Sequence, residues 1–102
     1  MELTVKERLV LLNLLPNEGN FLTLKLMRKL REALSFDEEE LKRLNVVQNG
    51  DRVSWDITVD IRKDIAVGDV MTDVIVKDLK GKDKDGKLTE DHITLYEKFV
   101  EN

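Results

Sequence analysis

The sequence predicts an α+β fold, with an N-terminal three-helix unit, a central antiparallel β-hairpin or small sheet, and two C-terminal helices. Three observations predict it. Apolar residues recur at helical spacing up to Leu44, the period changes to two from Val53 to Ile61, and helical spacing returns near Val70. Between the first two regimes stands Asn49-Gly50, whose residues both tolerate the positive φ of a type I′ hairpin turn. Three helices followed by a hairpin is a winged-helix-like order.

The first helix is announced by the capping box Thr4-Val5-Lys6-Glu7 and runs to about Leu14, where Pro16 disfavours continuation at Leu15. Asn17 to Asn20 forms a turn, and Asn20 is suited to cap a second helix over Phe21 to Leu34. Leu22, Leu26, Leu30 and Ala33 form its expected buried stripe, widened by Met27 and Leu34. Ser35-Phe36-Asp37-Glu38 reads as a second capping box, opening a short acidic helix to about Leu44.

Beyond the turn, Val53, Trp55, Ile57, Val59 and Ile61 alternate with polar residues, as one apolar face of a half-buried strand does. Trp55 is expected as a core anchor on that face, and the hairpin as part of a core sheet. The run is long for one strand, so a bend near Asp56 is expected. An isolated hairpin is marginal in water, so a third short strand around Asp64 to Ala66, or packing against the helices, is expected. Val67 to Leu79 has helical spacing in Val70, Met71, Val74 and Ile75, although β-branching weakens its propensity and leaves strand open. Gly81 to Gly86 reads as a polar turn. Thr89 then caps a last helix to about Val100, with Ile93, Tyr96, Phe99 and Val100 as its buried stripe.

Composition narrows the function classes. A chain of 102 residues is read as one domain, 1–102, and its lack of cysteine excludes disulfides, thiolate metal sites and cysteine nucleophiles. Acid at position 2 and frequent charges make the N-terminus unlike a signal peptide, and no apolar run suits a membrane span. A cytoplasmic protein is the expectation. Net charge is −4, divided into +2 over residues 1–36 and −6 over residues 37–102. An acidic chain is a poor prior for nucleic-acid binding, where a basic surface supplies most of the affinity.

Candidate chemistry is sparse. Gly86 matches the glycine of an EF-hand loop, with Asp83 and Asp85 at ligand positions, but the register puts Gly81 and His92 where carboxylates are needed. A calcium-responsive helix pair therefore ranks last, and no cofactor or metal is expected. His92, the single histidine, has no accompanying nucleophile motif, P-loop, dinucleotide fingerprint or second histidine, so no catalytic residues are assigned and no enzyme is expected.

The winged-helix order raises DNA reading. Yet the helix before the hairpin starts with Asp37-Glu38-Glu39-Glu40, which would repel phosphate at a groove. The remaining binding candidates are Lys25, Arg28, Lys29 and Arg31 on the second helix, suited to an acidic partner protein or a phosphate backbone. They also suit a plain solvated face, with Arg28–Glu32 as an i,i+4 pair.

Leu3 to Arg8, Leu14-Leu15-Pro16, Glu18 to Phe21 and Arg28 to Arg31, together with Gly86 to Thr89 and Leu95 to Phe99, resemble small uncharacterised accessory proteins of tailed phages and prophages. That resemblance implies a small accessory protein in a bacterial cytoplasm that binds a host or phage protein. It transfers no catalytic or binding motif. The function expected is a non-enzymatic protein-interaction module; the alternative is a winged-helix-like nucleic-acid-binding regulator using the basic face of the second helix.

Overall fold

The computed structural model describes residues 1–101 and has the α+β composition predicted. Its elements are β1 (Glu2–Thr4), α1 (Val5–Leu14), α2 (Phe21–Leu34), α3 (Glu38–Leu44), β2 (Val47–Asn49), β3 (Arg52–Ser54), β4 (Arg62–Asp64), α4 (Asp69–Lys84) and α5 (Ile93–Phe99). A single 3-10 turn, Glu90–His92, leads into α5. One core joins both ends of the chain: Leu3 of β1, Leu11 and Leu14 of α1, Met27 and Leu34 of α2, Ile75 and Leu79 of α4, and Leu95 and Phe99 of α5.

The strands form two separate antiparallel ribbons. One pairs β1 with β4, Leu3 opposite Lys63, and continues in a 2.7 Å bond from the Ile65 N–H to the Met1 carbonyl. Leu3 and Ile65 are fully buried, which anchors this ribbon to the helices. The sequence did not announce β1, because a segment this short has no readable period. The expected third strand exists, but it starts at Arg62 and pairs with β1 rather than with the hairpin.

The hairpin is the other ribbon, and here the structure corrects three expectations. Asn49 pairs with Arg52, so Gly50 and Asp51 form the turn, and positive φ occurs at Gly50 (+60°) and not at Asn49. Positive φ at the first central residue alone is the type II′ pattern, not type I′. Second, the alternating run is not one strand. β3 stops at Ser54 and the apolar face does not continue to Ile61, although the chain bends at Asp56 as expected: the Asp56 carboxylate accepts the Thr58 N–H at 3.0 Å and its hydroxyl at 2.6 Å. Such a local side-chain turn competes directly with ladder pairing. Ile57 is consequently 84% exposed. Third, every residue of β2 and β3 is exposed, so the hairpin is no core sheet, and Trp55 is half-buried outside the core cluster. Val47 and Val53 lie on opposite faces of the ribbon, since Val47 is opposite Ser54 and Val53 opposite Gln48. Neither face can therefore bury a continuous apolar surface. The ribbon is tied at its base, where the Asp56 N–H donates to the carbonyl of buried Leu44 at 2.8 Å.

The helices follow their caps more closely. Thr4 and Glu7 make the expected capping box, and Asn20 accepts the Thr23 N–H at 2.8 Å. The second capping box is shifted two residues from the one predicted. Asp37 is the N-cap and Glu40 its partner, while Ser35 closes α2 by donating its hydroxyl to the Arg31 carbonyl. Of the Val67 to Leu79 segment, Asp69 to Leu79 is helical, with Gly68 as the N-cap of α4, and α4 passes on through Gly81 to Lys84. The polar turn shrinks to Asp85 and Gly86. Gly86 (φ +68°) donates to Asp83 and Lys87 donates to Lys82, closing α4 as a Schellman motif.

Candidate interaction surface

The orientation of α2 decides what the domain offers to a partner. Met27, Leu30 and Leu34 are buried, three and four residues apart, so they define the inward stripe. Leu26 and Ala33 pack at its edge. Leu22, expected within the stripe, is 61% exposed, and Phe21 is 77% exposed. The helix is thus turned from the predicted orientation toward a Met27-centred stripe, and its first turn overhangs the core.

Of the basic residues predicted as a partner surface, Lys25, Arg28 and Lys29 are exposed and share the outward face with Phe21 and Leu22. Arg31 departs from the group. Its guanidinium donates to the Pro16 carbonyl at 2.9 Å and the Asn17 side-chain oxygen at 3.1 Å, fastening the α1–α2 turn onto α2. Among the described residues no ion pair joins Arg28 to Glu32, nor engages Lys25 or Lys29.

The acidic start of α3 has a structural use that the sequence did not reveal. Arg8 of α1 is fully buried. Its guanidinium donates to the Leu34 carbonyl at 3.1 Å, the Ser35 carbonyl at 2.6 Å and the Glu40 carboxylate at 2.6 Å, and lies 3.8 Å from the Phe36 ring centroid. One planar cation thereby satisfies the end of α2 and the start of α3 together. The hydrogen bond from Arg8 holds the Glu40 carboxyl below its ordinary range, against the opposing effect of burial. Asp37 caps α3, which leaves Glu38 and Glu39 as exposed acids. The available sequence signal for Arg8 was its spacing of three from Leu11, which puts a charge on the inward side of α1.

A buried carboxylate ties the two ends of the chain. Glu7 of α1 accepts from Lys98 Nζ at 2.7 Å and from the Thr4 N–H at 3.0 Å. Burial pushes the Glu7 carboxyl up, but Lys98 and the Thr4 N–H outweigh it and hold it below its ordinary value.

His92 serves the cap of the last helical segment. Its Nδ1 accepts the Thr89 N–H at 3.0 Å, so the ring takes the place that Glu or Gln fills in a common capping box. The stripe expected after it is shifted: Leu95 and Phe99 are buried, Tyr96 and Val100 are half-buried, and Ile93 is exposed. The EF-hand register fails for a physical reason, because Gly81 to Lys84 are helical and cannot curl around an ion. Asp83 instead accepts the Tyr96 hydroxyl at 3.2 Å. Among the described residues no group of three His, Asp or Glu side chains is arranged to hold a metal ion.

Two depressions flank α2. The larger, about 540 Å³, lies between the α1–α2 turn and the middle of α4 and mixes Lys77, Lys82 and Lys87 with Glu18, Asp78 and Asp85. The smaller, about 360 Å³, lies between α2 and the start of α4 and is bounded by Leu26, Leu30, Val70 and Met71, with Lys29 on its wall. No helix is long and apolar enough to cross a membrane among the described residues. Comparison with known proteins found no matching family model, no matching curated protein and no matching solved structure.

Proposed function

We propose that this chain is a non-enzymatic protein-interaction module whose contact surface is the outward face of α2. One observation carries the reading: Phe21 and Leu22 stand exposed on the same helix face as Lys25, Arg28 and Lys29. Large apolar side chains in water gain nothing for the isolated fold. Beside exposed cations they have the mixed character of a recognition patch, with apolar anchors and a polar surround. The likeness to small phage accessory proteins suits this role and a bacterial cytoplasm, and it adds no mechanism.

Nucleic-acid binding is the weaker reading. Arg31 is committed to the α1–α2 turn, which leaves fewer cations for phosphate, and Glu38 and Glu39 remain exposed on α3. Capture from bacterial lysate tests the proposal. Wild-type protein is expected to retain a specific protein that Phe21→Ser/Leu22→Ser releases, with the variant's unfolding curve unchanged. Nuclease-sensitive retention, or substrate turnover that disappears in His92→Ala, would overturn it.

A further inference from the structure

The smaller groove allows the interaction reading to be taken to the chemistry of the partner, and the inference rests on that reading. α2 and α4 run antiparallel across one another: Thr23 shares a cleft with Val74 and Gly81, whereas Leu26 and Leu30 meet Val70 and Met71. The groove is mostly apolar, with Leu26 and Leu30 on one wall and Val70 and Met71 on the other, and Val70 is 44% exposed within it. Leu22 lies one helical turn before Leu26 and extends the α2 wall toward solvent. Lys29 stands on that wall and Lys25 lies one turn before it. Asp69 is the acid on the lining, placed on the α4 side.

Charge complementarity selects the occupant. This acidic chain presents Lys25, Arg28 and Lys29 together, and among the described residues none of them has a carboxylate partner. A ligand that satisfies them must carry negative charge, and one that uses Leu26 and Val70 must carry apolar side chains at the same time. A nucleic-acid backbone meets the first demand and leaves the apolar walls empty. An acidic amphipathic peptide meets both. We propose that the groove between α2 and the start of α4 docks an acidic amphipathic segment of a partner protein, its apolar side chains between Leu26 and Val70 and its carboxylates on Lys25 and Lys29.

Selection from a random displayed peptide library tests this without assuming a sequence. The most enriched peptide is then measured by fluorescence anisotropy against wild-type protein, Lys25→Glu/Lys29→Glu, Val70→Asp and the hairpin control Val53→Asp. Enriched peptides are expected to combine Asp or Glu with Leu, Phe or Trp. Their affinity should fall about tenfold or more in both groove variants, as loss of paired charges or of an apolar anchor implies, and stay unchanged in Val53→Asp. The double charge reversal involves exposed residues only, so it remains informative if Val70→Asp does not fold.

Peptides without acids, or no enrichment, would overturn the groove assignment. Binding lost only in Val53→Asp would overturn it too, while leaving the interaction module standing on another surface. A labelled DNA duplex bound at low salt and released by Lys25→Glu/Lys29→Glu would overturn both. Light scattering that shows a dimer dissolved by the same variant would assign the groove to a second copy of this chain, against the proposal.

Discussion

Arg8 Nη1 lies 2.6 Å from Glu40 Oε2, an ion pair that reaches from the inside of α1 to the first turn of α3. The contact sets where α3 starts, because Glu40 also closes the cap on the Asp37 N–H at 3.2 Å. An acidic run that reads as a repulsive surface is thus partly consumed inside the fold.

Arg8→Met should destabilise the domain by ~3–5 kcal/mol, near the cost of breaking a buried ion pair, because the fully buried guanidinium also serves the Leu34 and Ser35 carbonyls. Arg8→Lys should recover little of this, because an ammonium cannot reach two carbonyls and a carboxylate in one plane. Urea unfolding followed by Trp55 fluorescence measures both. A loss under ~1 kcal/mol for Arg8→Met would show that the network contributes no more than an exposed pair.

Acid sensitivity follows from the two lowered carboxyls. Glu7 and Glu40 are lowered in the folded state, so each adds stability above the unfolded-state value of about 4.3 and loses it as pH falls through the lower folded value. Melting temperature should therefore hold steady near neutrality and drop as pH falls below about 4.3. Glu40→Gln should lower the plateau and flatten the drop. A melting profile with the same acid slope in wild type and Glu40→Gln would refute the assignment.

The histidine cap makes a graded prediction. His92→Ala leaves the Thr89 N–H without its acceptor and should cost ~0.3–1.5 kcal/mol. His92→Glu restores an acceptor of the common type, with a charge that favours a helix start, and should match wild type or exceed it. Chemical denaturation at neutral pH checks the order of the three proteins.

Two glycines should respond in opposite directions. Gly81 lies inside α4, and a Cβ there meets nothing within 4 Å, so Gly81→Ala should stabilise by ~0.4–1 kcal/mol. Gly86 has the same open surroundings but a φ of +68°, so Gly86→Ala should destabilise by ~1 kcal/mol through backbone strain alone. Thermal melts of the two single variants decide it, and equal signs would contradict the Schellman closure.

Local chemistry was legible wherever one short stretch of chain decided the outcome. Thr4 with Glu7 and Asn20 with Thr23 are caps made by residues three apart, and they were readable because nothing distant competes for those N–H groups. The Ser35 to Glu38 box was misplaced by two residues for the opposite reason. Two overlapping boxes exist in Ser35 to Glu40, and Arg8, far away in sequence, favours the one containing Glu40. The candidate surface was half legible. Lys25, Arg28 and Lys29 were identifiable from helical spacing, whereas Arg31 was taken by Pro16 and Asn17, and the exposure of Phe21 and Leu22 depended on how α2 rolls against α4.

Sequence alone therefore determined the α+β class, the helix-rich N-terminal half, the presence of a hairpin and the acidic balance, because periodicity, caps and charge count are properties of neighbouring residues. Tertiary structure alone decided the pairing of β1 with β4, the exposure of the hairpin, the burial of Arg8 and the groove beside Lys29. Each of these depends on which of several locally acceptable faces finds a partner across the fold. Burial energy chooses among such faces only when the whole chain is assembled.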